Sequence, residues 1–297
     1  MNPGIVFAAS AYALWGLFPL YFRLLRSVPA FEVLMLRMVL SLLAVAIVLV
    51  VLRRWTWVRQ VRAAPRLLVR YSISAVLVSL NWFVFIWATQ NGHVVDASLG
   101  YFITPLVNVL LGRLVLHERP RPAQWTAIAI AAIGVVWLSI QTGHMPWIAL
   151  TLALSFGTYG LAKKVAPLGA LEGLALETAL LFPAALAVLL WMGAHGQNAL
   201  MTAEPSVRWL LLASGPLTAL PLLLFAAGAR RVPMTTLGLL QFIAPTLQLM
   251  LGVLVFGEAF GGPALIGYGL IWTALALYAG ESLWRATRTA RPAAAAP

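Results

Sequence analysis

Two charged residues lie inside stretches of chain that are otherwise apolar, Arg37 and Glu177. A charge at membrane depth costs at least ~2.5–3.5 kcal/mol, so it faces a cavity or a partner. Arg37 suits the engagement of an anionic group or the holding of a gate. Glu177 suits the binding of a proton or of a cationic substrate. A plainer arrangement fits both residues as well. Arg37 would then reach out to the interface along its aliphatic stem, and Glu177 would hydrogen-bond a neighbouring helix. Uncharged polar residues recur at helical spacing in the same apolar stretches. Tyr101, Thr104 and Asn108 fall at i, i+3 and i+7, and Gln241 and Gln248 repeat that interval. Asn81, Phe85 and Thr89 share a second face, Tyr12, Trp15 and Pro19 a third, and Ser155 and Tyr159 a fourth. Such faces suit a cavity that holds an amphipathic small molecule by a few hydrogen bonds and aromatic contacts. They suit hydrogen bonding between helices nearly as well.

Signatures of enzymes and of bound metals are missing. His93, His117, His144 and His195 form no metal-ligand pattern, and His117-Glu118 does not continue into HExxH. There is no GxxxxGK[ST] phosphate loop and no cysteine. No catalytic residue, metal or cofactor is expected.

The elements that carry the polar faces follow from composition. Of 297 residues, 62% are hydrophobic and 9% charged. A soluble domain carries about 25% charged residues, so lipid is the solvent for most of this chain. A helix needs about 20 largely apolar residues to cross the hydrocarbon core. Ten runs qualify, at residues 3–22, 31–52, 71–90, 97–116, 123–140, 146–162, 171–192, 209–228, 233–256 and 263–280. The first lacks a basic leader and a clear cleavage site and reads as retained. The expected fold is therefore an all-α integral membrane protein of ten transmembrane helices. Ten spans put both termini on one side. Sixteen of the twenty basic residues fall on that side, chiefly the six arginines between residues 53 and 70. The excess of positive charge places both termini in the cytoplasm. The net charge of +12 is spread over several short segments, which argues against nucleic-acid binding. Lys163 and Lys164 count among these anchors, and a tail from residue 283 reads as disordered.

A shift of 140 residues aligns the chain with itself. Residues 93–118 match residues 233–258 at nine positions, among them Pro105 with Pro245, Gly112 with Gly252 and Glu118 with Glu258. The same shift sets Glu32 on Glu172 and Arg37 on Glu177. Residues 1–141 and 142–282 thus read as two five-helix repeats. Five is odd, so the second repeat enters the membrane from the opposite side, the inverted topology common among secondary transporters. Pro105 and Pro245 lie inside spans and are expected to kink them, freeing the carbonyls of Tyr101 and Gln241. Glu32 and Glu172 begin spans and are expected to favour their own helix dipoles. Glu118 and Glu258 end spans, and capping of loop amides is the role expected of them.

Four stretches carry a resemblance to a known family: AYALWGLFPLYFRLL, LNWFVFIWATQNGHVVDASLGYFITPLVNVLLG, SFGTYGLAKK and TTLGLLQFIAPTLQLMLG. They resemble the RarD, or chloramphenicol-sensitive, branch of the EamA proteins in the drug/metabolite transporter superfamily. The resemblance runs through nearly the whole chain. It implies a ten-helix inner-membrane carrier with two EamA repeats. It also implies a cavity formed by spans 1–4 and 6–9, with spans 5 and 10 outside it. The family's charged positions carry over onto Arg37 and Glu177, its amides onto Asn81 and Asn108, and its Gln-aromatic-x-x-Pro motif onto Gln241 and Pro245. This chain departs from the family at Leu36 and Thr104, where histidine and asparagine are common.

The expected function is secondary active transport of a small metabolite or amphipathic drug across the bacterial inner membrane by alternating access. A membrane scaffold without transport activity, or an intramembrane enzyme, is the competing class. The residues expected to bind substrate or gate the path are Arg37, Glu177, Asn81, Tyr101, Asn108, Gln241, Gln248, Trp15 and Tyr159. The expected partners are a small-molecule substrate and the lipid bilayer, with a homodimer left open.

Overall fold

The computed structural model describes residues 3–117, 119–143, 145–229, 231–232 and 240–289. These form α1 (Pro3–Leu24), α2 (Ala30–Val51), α3 (Thr56–Ala63), α4 (Arg66–Gln90), α5 (Val94–Val115) and α6 (Pro122–Thr142). They continue with α7 (Trp147–Lys164), α8 (Ala170–Ala194), α9 (Ala199–Thr202), α10 (Pro205–Ala229), α11 (Ile243–Met250) and α12 (Pro263–Thr289). No strand occurs among the described residues. Hydrocarbon offers no water to a bare N–H or C=O, so each spanning segment satisfies its backbone internally, as a helix does. Among the described residues, eight helices are long and apolar enough to cross a bilayer: α1, α2, α4, α5, α6, α8, α10 and α12. Pro3, Pro122, Pro205 and Pro263 each stand first in their helices, where the missing N–H costs no hydrogen bond. Gly143, at φ 71°, stops α6 in the left-handed conformation that a side chain would disfavour.

Several elements depart from the expected spans. α3 and α9 lie between them. In α3, Trp57, Val58 and Val61 form one partly buried face, while Arg59, Gln60 and Arg62 are exposed. A short helix so divided lies along the interface instead of crossing it. The ninth expected span, residues 233–256, differs most. Residues 233–239 lie outside the described residues. The chain then turns at Gln241–Phe242, forms α11, and ends in a π-helical turn, Leu251–Val255. Pro245 weakens the helix at the break, because it has no N–H to offer the Gln241 carbonyl. Pro105 has the same defect yet sits inside an unbroken α5. The two prolines therefore do not act alike. α12 continues to Thr289, past residue 283 where a disordered tail was expected, and residues 290–297 lie outside the described residues.

The helices pack as a ring and a flanking pair. α1 packs against α10 and α11, and α2 against α8 and α10. α7 packs against α4 and α5, and α4 also meets α8. α6 packs mainly against α12, and this pair meets the ring through α5. The two backbones approach closely at small residues: a Cβ on Gly134 would lie 2.9 Å from the Gly267 carbonyl oxygen.

Two carboxylates, Glu32 buried and Glu258 partly so, cap helices distant in sequence. Glu258 accepts the Val94 and Val95 amides at 2.9 and 2.8 Å, in the first turn of α5. Glu32 accepts the Ala199 amide of α9 at 2.5 Å, so it serves a helix other than the one it begins. Glu172 pairs with Arg54 at 3.2 Å. Glu118 and His144 lie outside the described residues.

Candidate substrate cavity

A cavity of about 500 Å³ lies within the ring. Its walls come from α1, α2, α4, α5, α7, α8, α10, α11, the α7–α8 loop at Leu168 and the turn at Gln241, and α6 and α12 contribute none among the described residues. The polar faces converge there because lipid makes any other direction costly. Arg37, Asn81, Tyr101, Asn108, Gln241, Gln248, Trp15 and Tyr159 all line it. Glu177 does not. It is fully buried behind the wall, on the α8 face that meets α4 and is reached by the Tyr159 and Lys163 side chains of α7.

Arg37 is 4% exposed. Its Nε donates to Thr218 Oγ1 on α10 at 3.0 Å. Its guanidinium lies 4.1 Å from the centre of the Trp82 ring and 5.5 Å from those of Phe18 and Phe22. No carboxylate approaches it within 4.0 Å among the described residues. Arg37 and Glu177 are thus not an ion pair.

Asn81 is a bridge. Its Nδ2 donates to the Leu152 carbonyl and to Ser155 Oγ, both at 3.1 Å, and its Oδ1 accepts the Tyr101 hydroxyl at 3.0 Å. It joins α4, α5 and α7, and its hydrogen-bonding capacity is largely spent on them. Asn108, by contrast, is exposed to the cavity. Gln248 has both kinds of group. Its Nε2 donates to the Trp15 carbonyl at 3.3 Å, which Pro19 cannot use. That carbonyl only accepts, so the amide orientation is fixed and Gln248 Oε1 is left buried without a partner. Tyr12, Trp15 and Phe225 pack edge to face on one wall. Phe85, Tyr101, Phe156 and Tyr159 form a chain of rings on another.

The profile of the EamA-like transporter family matches residues 2–140. "Protein RarD" of Streptomyces exfoliatus is 47% identical over 99% of this chain and 94% of its own length. The chain belongs to the EamA family, in its RarD branch. An uncharacterized transporter of Pseudomonas aeruginosa is 45% identical over 97% of this chain and 96% of its own. A crystal structure at 20% identity superimposes with a TM-score of 0.56 over 92% of this chain and 96% of the other, a likeness in fold alone. As a member of this family the protein is a multi-pass membrane transporter.

One charged residue of this EamA protein's cavity escaped sequence reasoning, as did Thr218, the partner of Arg37. Lys163, at the end of α7, lines the cavity. Its Nζ lies 2.8 Å from Glu177 Oε1 and over the rings of Tyr71 and Tyr159, at 5.2 and 5.4 Å. Glu177 also accepts from Ser74 and, at 3.2 Å, from the Tyr159 hydroxyl. The cluster ties α4, α7 and α8 together. Lys163 ends a span and reads as an anchor. The available signal was a carboxylate, Glu177, that needs a counter-charge inside the same bundle.

Proposed function

We propose that this transporter is a secondary carrier that moves a small metabolite or amphipathic drug across the bacterial inner membrane by alternating access. The observation that carries this reading is the symmetry of the helix contacts. Under the 140-residue shift α1, α2, α4 and α5 correspond to α7, α8, α10 and α11. α1 packs on α10 as α7 packs on α4. α2 meets α10 as α8 meets α4, and α5 meets α7 as α11 meets α1. His117 and Gly257, a pair under the same shift, both adopt left-handed φ, 56° and 68°. Two inverted halves around one cavity can exchange their conformations, opening the cavity first to one side and then to the other.

In this mechanism Lys163, Glu177, Ser74 and Tyr159 hold one end of the cavity shut. Protonation of Glu177 removes the counter-charge of Lys163 and loosens α7 from α8, which links opening to a proton. The purified protein in proteoliposomes is therefore expected to move at least one member of a panel of amino acids, nucleosides, phenicols and organic acids. Flux should respond to a pH gradient, and Glu177→Gln should remove that response. Absence of flux for every compound under every gradient sinks the carrier reading. An unchanged pH profile in Glu177→Gln removes the coupling role.

Both termini are placed in the cytoplasm on the strength of the arginine-rich segment around α3. Single cysteines introduced into this cysteine-free chain test the orientation. One at Gln141 should react with an impermeant maleimide from outside, and one at Arg59 only after permeabilisation. The reverse pattern would invert the topology.

A further inference from the structure

Among the described residues, the cavity wall carries two cations, Arg37 and Lys163, and no carboxylate. Lys163 has its counter-charge in Glu177, just behind the wall. Arg37 has none among the described residues. Its neighbours are a threonine hydroxyl and three aromatic rings. Ring faces attract a cation but do not neutralise it. A buried cation without an anion is a costly arrangement, and a guanidinium is built for two parallel hydrogen bonds to a planar anionic group. The rest of the wall is mostly apolar and aromatic. We propose that the ligand of this cavity is an organic anion, with its carboxylate or equivalent group on Arg37 and its apolar body against the aromatic wall.

The proposal rests on the carrier reading for the place of binding, and it narrows the substrate class. A cationic ligand would meet Arg37 and Lys163 without any carboxylate in the wall. A neutral ligand would leave Arg37 uncompensated. An inorganic anion would satisfy Arg37 but leave the aromatic wall unused.

The test pairs each acid with its primary amide, which has nearly the same shape and no charge. The probes are benzoate, phenylacetate, 3-phenylpropionate and indole-3-acetate, with benzamide, phenylacetamide, 3-phenylpropionamide and indole-3-acetamide. Binding is read from the ligand-dependent rise in unfolding temperature of the full-length protein in detergent. At least one acid should half-saturate at a concentration at least tenfold lower than its amide. Arg37→Gln should abolish that preference, and Arg37→Lys, which keeps the charge, should retain part of it. Sodium chloride at equal ionic strength should give no comparable shift.

Equal response to every acid and its amide overturns the proposal, and so does a preference that survives Arg37→Gln. A chloride response that matches the acids assigns the site to an inorganic anion and also overturns it. The acid–amide comparison uses the unaltered protein and stands even where a variant fails to fold. Proteoliposome flux separates this inference from the carrier reading. Acid-selective binding without flux sustains the inference and removes the carrier. Flux of neutral solutes alone does the reverse.

Discussion

Lys163→Ala lowers the stability of the folded protein by about 3–5 kcal/mol, and adding Glu177→Gln recovers most of that loss. The asymmetry of the pair is the reason. Glu177 is fully buried, whereas the Lys163 side chain is 21% exposed to the cavity. Without Lys163 the carboxylate keeps only the hydroxyls of Ser74 and Tyr159. Two neutral donors do not compensate a charge held away from water. Neutralising Glu177 in the same chain removes the unpaired charge, while the amide can accept from one hydroxyl through its oxygen and donate to the other through its NH2. Lys163→Ala also removes the cation held between the Tyr71 and Tyr159 rings, so recovery should be incomplete. Thermal unfolding in detergent, run on the two single variants and the double variant, reads the coupling between the residues. A double variant no more stable than Lys163→Ala would show that the pair does not hold α7 to α8. The same cycle, run as transport, separates a latch from a brace. A latch weakened by Lys163→Ala leaves the cavity end open and flattens the pH profile.

What could be read in the chain before its fold was the inward direction of polar groups. A hydroxyl or amide in lipid has no water to turn to, so its helical face points to the bundle's interior. That single rule brought Trp15, Arg37, Asn81, Tyr101, Asn108, Tyr159, Gln241 and Gln248 to one cavity. The roles within the cavity were not legible, because they depend on neighbours from other helices. Asn81 spends its amide on α5 and α7, whereas Asn108, equally polar, is exposed to the cavity. Glu32 reads as a residue for its own helix dipole, and its partner lies 167 positions away. Lys163 was hidden for a related reason. A lysine at a span end reads as an interfacial anchor, and only the position of α8 reveals what it faces. The prolines show the limit most plainly. Pro105 and Pro245 occupy equivalent positions in the sequence, yet one lies in an unbroken helix and the other follows a break at Gln241–Phe242. A missing N–H weakens a helix, and the surrounding packing decides whether it opens.

Gly16→Ala should destabilise the protein by about 1–3 kcal/mol and impair transport, although it adds only a methyl group. At this point α1 presses on α11. A Cβ on Gly16 would lie 2.8 Å from Leu247 Cβ and 3.2 Å from the Ala244 carbonyl oxygen. Both atoms belong to the backbone or are fixed to it, so no rotamer change relieves the contact and the helices must part. The neighbouring residue then transmits the shift to the cavity. The Trp15 carbonyl accepts from Gln248 Nε2 at 3.3 Å, a length with little left to give before the bond is lost. Trp15 and Gln248 both line the cavity, so transport should fall further than the stability loss alone would bring. Gly157, one residue off the same repeat register, makes the matching approach of α7 to α5. A Cβ there would lie 2.7 Å from Val107 Cγ1. That atom is a methyl group standing off the backbone, which yields further than the Leu247 Cβ and the Ala244 carbonyl that face Gly16, so Gly157→Ala should cost somewhat less. Gly269→Ala in α12 is the control, because nothing lies within 4 Å of the added atom. It replaces a flexible residue inside a helix and should stabilise by about 0.5–1 kcal/mol. The rank order Gly269→Ala above wild type, then Gly157→Ala, then Gly16→Ala is the expected result in both unfolding temperature and folded yield. Transport by Gly16→Ala at the wild-type rate would mean that α1 and α11 are free to separate there, and that the Trp15–Gln248 hydrogen bond does not shape the cavity.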